Sequence, residues 1–341
     1  EHGAGQDGFS LVGPMDAFGQ GLLLQGKNIN MGIELYISDG TTAGTHLVRD
    51  IHPGAFSSSP DWFTVIAPGQ ALFAAETTDD ERELWITDGT DAGTSLFADL
   101  EPVLIPNGSL FELFPVDDQR ILFHGGTAAL GVEPWVWDPV GGATLLANIQ
   151  VDQFSSYPSD FVSAWVGGHQ DIFFTADSAP TGRELWHTDG TPAGTNMVID
   201  HISGTKSGVR GGLFAAGGWV YFLSVGQTGG AAVWKSDGSV TGPVEVFAIP
   251  SGKQSIQPNQ WIQVGGKVFF DAQDTIHGEE LWCMDLATEA VSLVIDLEPS
   301  GSSGPENLTR VGDRLAFTAY TVTYGNELWI TDGTAAGTQL I

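Results

Sequence analysis

Cysteine is almost absent from this sequence: Cys283 stands alone, so no internal disulfide can form. It lies between Trp282 and Met284 in a strand-like pattern, which predicts a buried, inert thiol and not a nucleophile. Positive charge is also scarce, with Lys+Arg 12 against Asp+Glu 42 and a formal net charge of -30 at pH 7. Such a surface repels phosphate backbones and anionic headgroups and attracts cations and basic partners, so nucleic acid is not an expected ligand. No run of 18 or more apolar residues is present, which argues against insertion in a membrane as a helix. Sustained amphipathic helical periodicity is missing too. The eight histidines show no HxH or HExxH spacing, and there is no GxSxG elbow, phosphate-binding loop or complete EF-hand. Gly3-x-Gly5-x-x-Gly8 matches a dinucleotide fingerprint by letters alone, without the strand and helix that such a loop needs.

What is present is repetition. The octapeptide Glu-Leu-Tyr-Ile-Ser-Asp-Gly-Thr from Glu34 recurs as ELWITDGT from Glu83, ELWHTDGT from Glu184 and ELWITDGT from Glu327. Degenerate copies are EPWVWDPV from Glu133, AVWKSDGS from Ala232 and ELWCMDLA from Glu280. The seven copies follow one another at steps of 47 to 51 residues and account for nearly all of the 341. A period of this size marks a repeat architecture. Each unit carries four short strand signals; in the second they are Trp62 to Ile66, Ala71 to Ala75, Glu83 to Thr87 and Ser95 to Ala98. Four antiparallel strands make one propeller blade. The expected fold is therefore an all-β, seven-bladed β-propeller of four-stranded antiparallel blades.

Tight turns should join strands A and B at Gly167-Gly168, Gly217-Gly218 and Gly265-Gly266, where positive φ suits glycine. The Asp-Gly-Thr turns should join C to D, with Asp39, Asp88, Asp189 and Asp332 accepting local amides. An aromatic residue holds one position of strand C in every unit: Tyr36, Trp85, Trp135, Trp186, Trp234, Trp282 and Trp329. A residue repeated in every unit reads as architecture, so these rings are expected to wedge between blades.

These motifs closely resemble the bacterial ELWxxDGT-repeat family. The likeness covers about the whole chain, including the longer phrase from Val48 through Asp50, Pro53 and Gly54 to Ser58, Ser59 and Pro60. The resemblance implies a bacterial protein that is secreted or held at the cell surface, within a larger assembly or longer chain. It implies no particular chemistry. Departures occur at Asp138-Pro139-Val140, at Ala232 in place of the leading Glu, and at Asp285-Leu286-Ala287.

One domain is expected over 1–341, with blades near 7–54, 55–102, 103–152, 153–204, 205–252, 253–300 and 301–341. Ring closure is expected by packing of the last blade on the first, or by an added strand from Glu1 to Gln6. In propellers the D–A and B–C loops share one rim, so function is sought there, where copies differ. Candidate ligand contacts on that rim are Asp177, Arg183, His277, Tyr320 and Tyr324. The leading glutamates could form a carboxylate ring for cations or acid–base work, but their repetition favours a structural part, in which each accepts amides from the adjacent D–A loop. No particular cofactor is indicated. Calcium is the ion the acidic loops could hold, with Asp79, Asp80 and Glu81 as the densest cluster. Asn107-Gly108-Ser109 and Asn307-Leu308-Thr309 are sequons.

Two functions follow. One is a non-enzymatic binding or adhesive module that presents its rim loops to a glycan or protein partner. The other is a polysaccharide lyase or hydrolase with its site at the axial funnel. A catalytic site should break the repeat with convergent polar residues, and the breaks here mostly remove polarity, which favours binding.

Overall fold

A computed structural model describes residues 10–77, 82–98, 111–117, 119–127, 129–151, 154–209, 212–225, 231–239, 242–248 and 261–341. The described chain is all-β, in seven four-stranded antiparallel sheets whose neighbours follow sequence order. This is the seven-bladed β-propeller expected from the repeat. The blades are β1 (Ser10–Phe18), β2 (Gly21–Asn28), β3 (Gly32–Ser38) and β4 (His46–Arg49), then β5 (Asp61–Ala67), β6 (Gln70–Glu76), β7 (Arg82–Thr87) and β8 (Ser95–Ala98). The third is β9 (Phe111–Pro115), β10 (Ile121–Thr127), β11 (Gly131–Asp138) and β12 (Gly142–Leu145); the fourth is β13 (Ser159–Val166), β14 (His169–Ser178), β15 (Gly182–Thr188) and β16 (Asn196–Ile199). The fifth is β17 (Phe214–Ala216), β18 (Trp219–Val225), β19 (Ala231–Ser236) and β20 (Val244–Ala248). The sixth is β21 (Ile262–Val264), β22 (Lys267–Asp274), β23 (Gly278–Asp285) and β24 (Val291–Leu293), and the seventh is β25 (Glu306–Val311), β26 (Arg314–Thr321), β27 (Gly325–Thr331) and β28 (Gln339–Leu340).

Two compact units divide the chain, one of Glu1–Ser159 with Asp189–Thr195 and one of Asp160–Thr188 with Asn196–Ile341. Within each, alternation of side chains at period two decides which blade a residue meets. In the first unit Ala71, Phe73 and Ala75 of β6 pack with Leu23, Leu35 and Ile51 of the first blade. Their alternates Leu72 and Ala74 pack with Phe123 and Trp135 of the third. In the second unit Phe222 and Trp234 meet Phe173 and Leu185, Phe270 and Trp282 meet Leu223 and Val233, and Phe317 and Trp329 meet Phe269 and Leu281. The strand C aromatics thus wedge between blades where the described cores hold them. Each Trp also lies directly opposite a Phe on strand B: Phe73 and Trp85, Phe123 and Trp135, Phe174 and Trp186, Phe222 and Trp234, Phe270 and Trp282, Phe317 and Trp329. The first blade pairs Leu24 with Tyr36 instead. Sequence reading found the Trp column and missed the Phe column beside it, although both are legible at the same period.

The A–B turns use positive φ as expected at Gly167 (57°), Gly168 (89°), Gly217 (59°), Gly218 (81°) and Gly265 (60°), whereas Gly266, expected to do the same, does not. The C–D turn is a longer device than Asp-Gly-Thr. In the first blade Oδ1 of Asp39 accepts the amide of Thr41 at 2.9 Å and its hydroxyl at 2.7 Å. The Thr41 hydroxyl oxygen accepts the Gly44 amide, and Ser38 Oγ lies 2.6 Å from Thr45 Oγ1. The same pattern recurs at Asp88, Asp189 and Asp332. A Cβ at Gly44, Gly93, Gly194 or Gly337 would run into the aspartate carboxylate, which explains the second glycine of each copy. These hydrogen bonds hold all four carboxyl groups below their ordinary range: at Asp39, Asp88 and Asp332 they are the leading influence, and at Asp189 they outweigh burial.

Several of the few cations tie one blade to the turn of another. Arg49 donates to the carbonyls of Asp91 and Thr94, Arg120 to those of Asp189 and Gly190, and Lys267 to that of Asp332. Lys235 is bonded to both oxygens of Glu289 at 2.6 and 2.7 Å and lies 4.4 Å over the ring of Trp219. Cys283 is buried, and burial pushes its thiol pKa up, as an inert cysteine requires.

Candidate functional site

The leading glutamates start strand C at the base of the B–C hairpin, and Glu34, Glu83, Glu133, Glu184 and Glu280 are buried. Oε2 of Glu34 accepts the Ile51 amide at 2.8 Å and the Ser58 hydroxyl at 2.6 Å, while Oε1 accepts the Ser58 amide at 2.9 Å. Glu133 holds the amides of Ile149 and Gln150 and the hydroxyl of Ser156. Glu280 holds the amides of Leu297 and Ser303 and the hydroxyl of Ser303. Each carboxylate is therefore a clasp that fixes the following D–A loop, as the repetition suggested. One residue before the clasped serine, Ser57, Ser155, Ser207 and Ser302 accept the amide of the residue preceding each glutamate. This serine pair was not singled out from sequence, though it lies within the phrase that ends at Ser58, Ser59 and Pro60.

Burial raises the pKa of Glu34, Glu133 and Glu280, with the hydroxyl and amide donors pulling the other way. Glu184 differs. It accepts the amides of His201 and Gly208 but meets no hydroxyl there, because glycine replaces the clasping serine. Desolvation then pushes its pKa up to about 7. Glu327, in the last blade, is exposed and does not form the clasp; Glu83 is buried, and its D–A loop lies outside the described residues.

Because each described clasp joins a D–A loop to a B–C hairpin, the two loop types share a rim at the first, third, fourth and sixth blades. The first-unit rim leaves Phe56, Phe154 and Tyr157 exposed, with Phe56 stacked on His52 at 5.1 Å. In the second unit the tips of the B–C hairpins of the sixth and seventh blades leave Ile276 79% exposed, Val322 73% and Tyr324 57%, and Tyr320, within β26, is 47% exposed. One loop joins those two hairpins: the Ser303 amide donates to the Glu279 carbonyl, and the Ser303 carbonyl accepts the Tyr320 amide at 2.8 Å. The hairpins that carry His277 and Tyr324 are therefore held side by side by this loop, while Tyr320 follows Ala319 of the core and lies on the other face of its strand. His277 Nδ1 lies 2.7 Å from Asp274 Oδ2, and that hydrogen bond raises the imidazole pKa.

Asp177 and Arg183 do not belong to those hairpins. They are opposite each other across the fourth B–C hairpin and form an ion pair at 2.7 Å, which closes the hairpin. Asp79, Asp80 and Glu81 lie outside the described residues, as do Gly3, Gly5, Gly8 and Asn107. Among the described residues no group of three His, Cys, Asp or Glu is arranged to hold a metal ion. No described helix is long and apolar enough to cross a membrane.

No protein-family model matches the sequence, and no curated protein is similar to it. Solved structures do share its fold. The chain of a study of two prolyl endopeptidases, on inter-domain dynamics in catalysis and specificity, matches with TM-score 0.57 at 12% identity, over 97% of this chain and 49% of that one. The likeness is one of fold alone. A puromycin hydrolase matches with TM-score 0.54 at 12% identity, over 97% of this chain and 53% of its own. A puromycin-hydrolyzing peptidase of Mycobacterium tuberculosis matches with TM-score 0.53 at 11% identity, over 98% and 53%. This chain spans about half the length of those it resembles.

Proposed function

We propose that this propeller is a non-enzymatic binding module that recognises a glycan or protein partner through its B–C and D–A loops. The observation that carries the reading is a division of labour on the described rim. Carboxylates at Glu34, Glu133 and Glu280 are held by hydrogen-bond donors of the following D–A loop, whereas Phe56, Phe154, Tyr157, Tyr320 and Tyr324 are exposed. Exposed rings on rigidly clasped loops favour contact with a partner over proton transfer, which needs a poised and accessible acid or base. The resemblance to ELWxxDGT-repeat proteins supports a secreted or surface-held location, where such a partner would be met.

A glycan array combined with an assay of polysaccharide breakdown tests this reading. Selective retention of one ligand without turnover is the expected result. Turnover without selective retention would replace the binding module by the lyase or hydrolase alternative.

A further inference from the structure

Where the first and third blades place Phe56 and Phe154 on the crest of the D–A loop, the sixth places Gly301. The three positions correspond because each crest carbonyl sits against a B–C glycine: a Cβ at Gly32, Gly131 or Gly278 would run into the carbonyl of Phe56, Phe154 or Gly301 respectively. Gly301 has nothing within 4 Å of where its own Cβ would stand, so the crest is bare. On one side of it stand Ile276 and His277, and on the other Val322 and Tyr324, since the loop is bonded to both hairpins through Ser303, and to the second also through Glu298, whose Oε2 accepts the Val322 amide at 2.6 Å.

We propose that this bare crest is a binding subsite for a neutral polysaccharide, with Tyr324 as the stacking ring and Gly301 as the open floor. The inference rests on the binding-module reading above and names its ligand class. Charge selects against acidic glycans: segments 274–280, 296–305 and 320–327 contain no Lys or Arg and hold six carboxylates. A basic peptide fits less well on the crest itself, because three of the six carboxylates, those of Asp274, Glu280 and Glu298, are already engaged by donors of this chain. Oδ1 of Asp274 accepts the Ile276 and His277 amides and Oδ2 faces His277 Nδ1; Glu280 is clasped by Ser303; Glu298 accepts donors from Ser300 and Val322. At Gly301 and Tyr324 a ligand meets bare backbone, aryl face and hydroxyl, the surfaces that saccharide rings and their hydroxyls use.

Affinity electrophoresis in gels containing laminarin, dextran, alginate or poly-L-lysine tests the proposal with the whole chain. Gly301→Phe supplies the phenyl group that other crests carry, at a position with free space and a backbone outside the left-handed region, so folding should be kept. Expected is retardation by laminarin or dextran, weakened at least tenfold by Tyr324→Ala and by Gly301→Phe, with melting unchanged. No retardation by either neutral polysaccharide, or stronger retardation by alginate or poly-L-lysine, overturns the ligand class. Retardation that survives both substitutions but is lost in Phe56→Ala or Phe154→Ala overturns this subsite and keeps the rim reading. Retardation untouched by all four overturns both.

Discussion

The hydroxyl of Ser303 donates to Oε2 of Glu280 at 2.6 Å, and both residues are buried. The first residue of each repeated octapeptide thus acts on the loop that follows it, about 24 residues downstream as at Glu34 and Ser58. A buried carboxylate with three donors is costly to disturb, since every orphaned amide retains its desolvation penalty. The repeat's first letter is a loop-fixing residue.

Glu280→Ala should lower unfolding free energy by about 2–4 kcal/mol, because a buried hydroxyl and two amides lose their acceptor together. Urea denaturation of the variant measures this. A loss under about 0.5 kcal/mol would mean that the D–A loop holds its place without the clasp.

Glycines of the repeat should separate into two kinds. Gly93→Ala forces a Cβ into the Asp88 carboxylate and breaks the Asp-Gly-Thr turn, so a loss of about 1–3 kcal/mol is expected. Gly266→Ala meets open space with an ordinary backbone, and reduced freedom of the unfolded chain should leave stability unchanged or raise it by about 0.4–1 kcal/mol. Thermal melts of the two variants side by side give the comparison.

Two buried groups should act in opposite directions with pH. Desolvation lowers the pKa of His124 to about 4, against an ordinary 6.5, with Nδ1 2.6 Å from the Pro158 carbonyl. The unfolded chain takes up a proton there that the fold refuses, so stability falls as pH drops from about 6.5 towards about 4, by on the order of 3 kcal/mol. Glu184 is raised from 4.5 to about 7, so the fold keeps a proton that the unfolded chain releases, and stability falls as pH rises through that window. Denaturation from pH 4 to pH 8 should show the acid loss flattened in His124→Gln and the neutral-side loss flattened in Glu184→Gln. Curves parallel to the unsubstituted protein would contradict both assignments.

Lys235→Met should cost about 1–2 kcal/mol, since it removes a half-buried bond to both oxygens of Glu289 and the cation over Trp219. Added salt should weaken stability less in the variant than in the unsubstituted protein. Equal salt dependence would show that Glu289 is held by Tyr221, whose hydroxyl donates to it at 3.0 Å.

Much of the fold was legible because the period is strict. In the second blade the expected strand Ser95 to Ala98 matches β8, and the other three differ only by one residue at an end or both. Asp39 and Glu34 took the parts assigned to them, as repeated residues with local or next-loop partners. The serine pair and the Phe column were missed because they lie outside the octapeptide, at offsets that only the pairing of strands makes evident. Asp177 and Arg183 were drawn as ligand contacts from their variability, and turned out to satisfy each other across a hairpin. Their one-to-one register, visible only once the hairpin is closed, is what a loop inventory lacks. Tyr320 and Tyr324 are exposed among the described residues.

The account separates residues that build the repeat from residues that face a partner, and one paired measurement tests that separation most directly: melting temperature and laminarin or dextran retardation, recorded together for Glu280→Ala and Gly301→Phe. The first should lose several degrees of melting temperature, and the second should lose retardation at an unchanged melting temperature. A Gly301→Phe protein that binds as before, or a Glu280→Ala protein that melts as before, would contradict it.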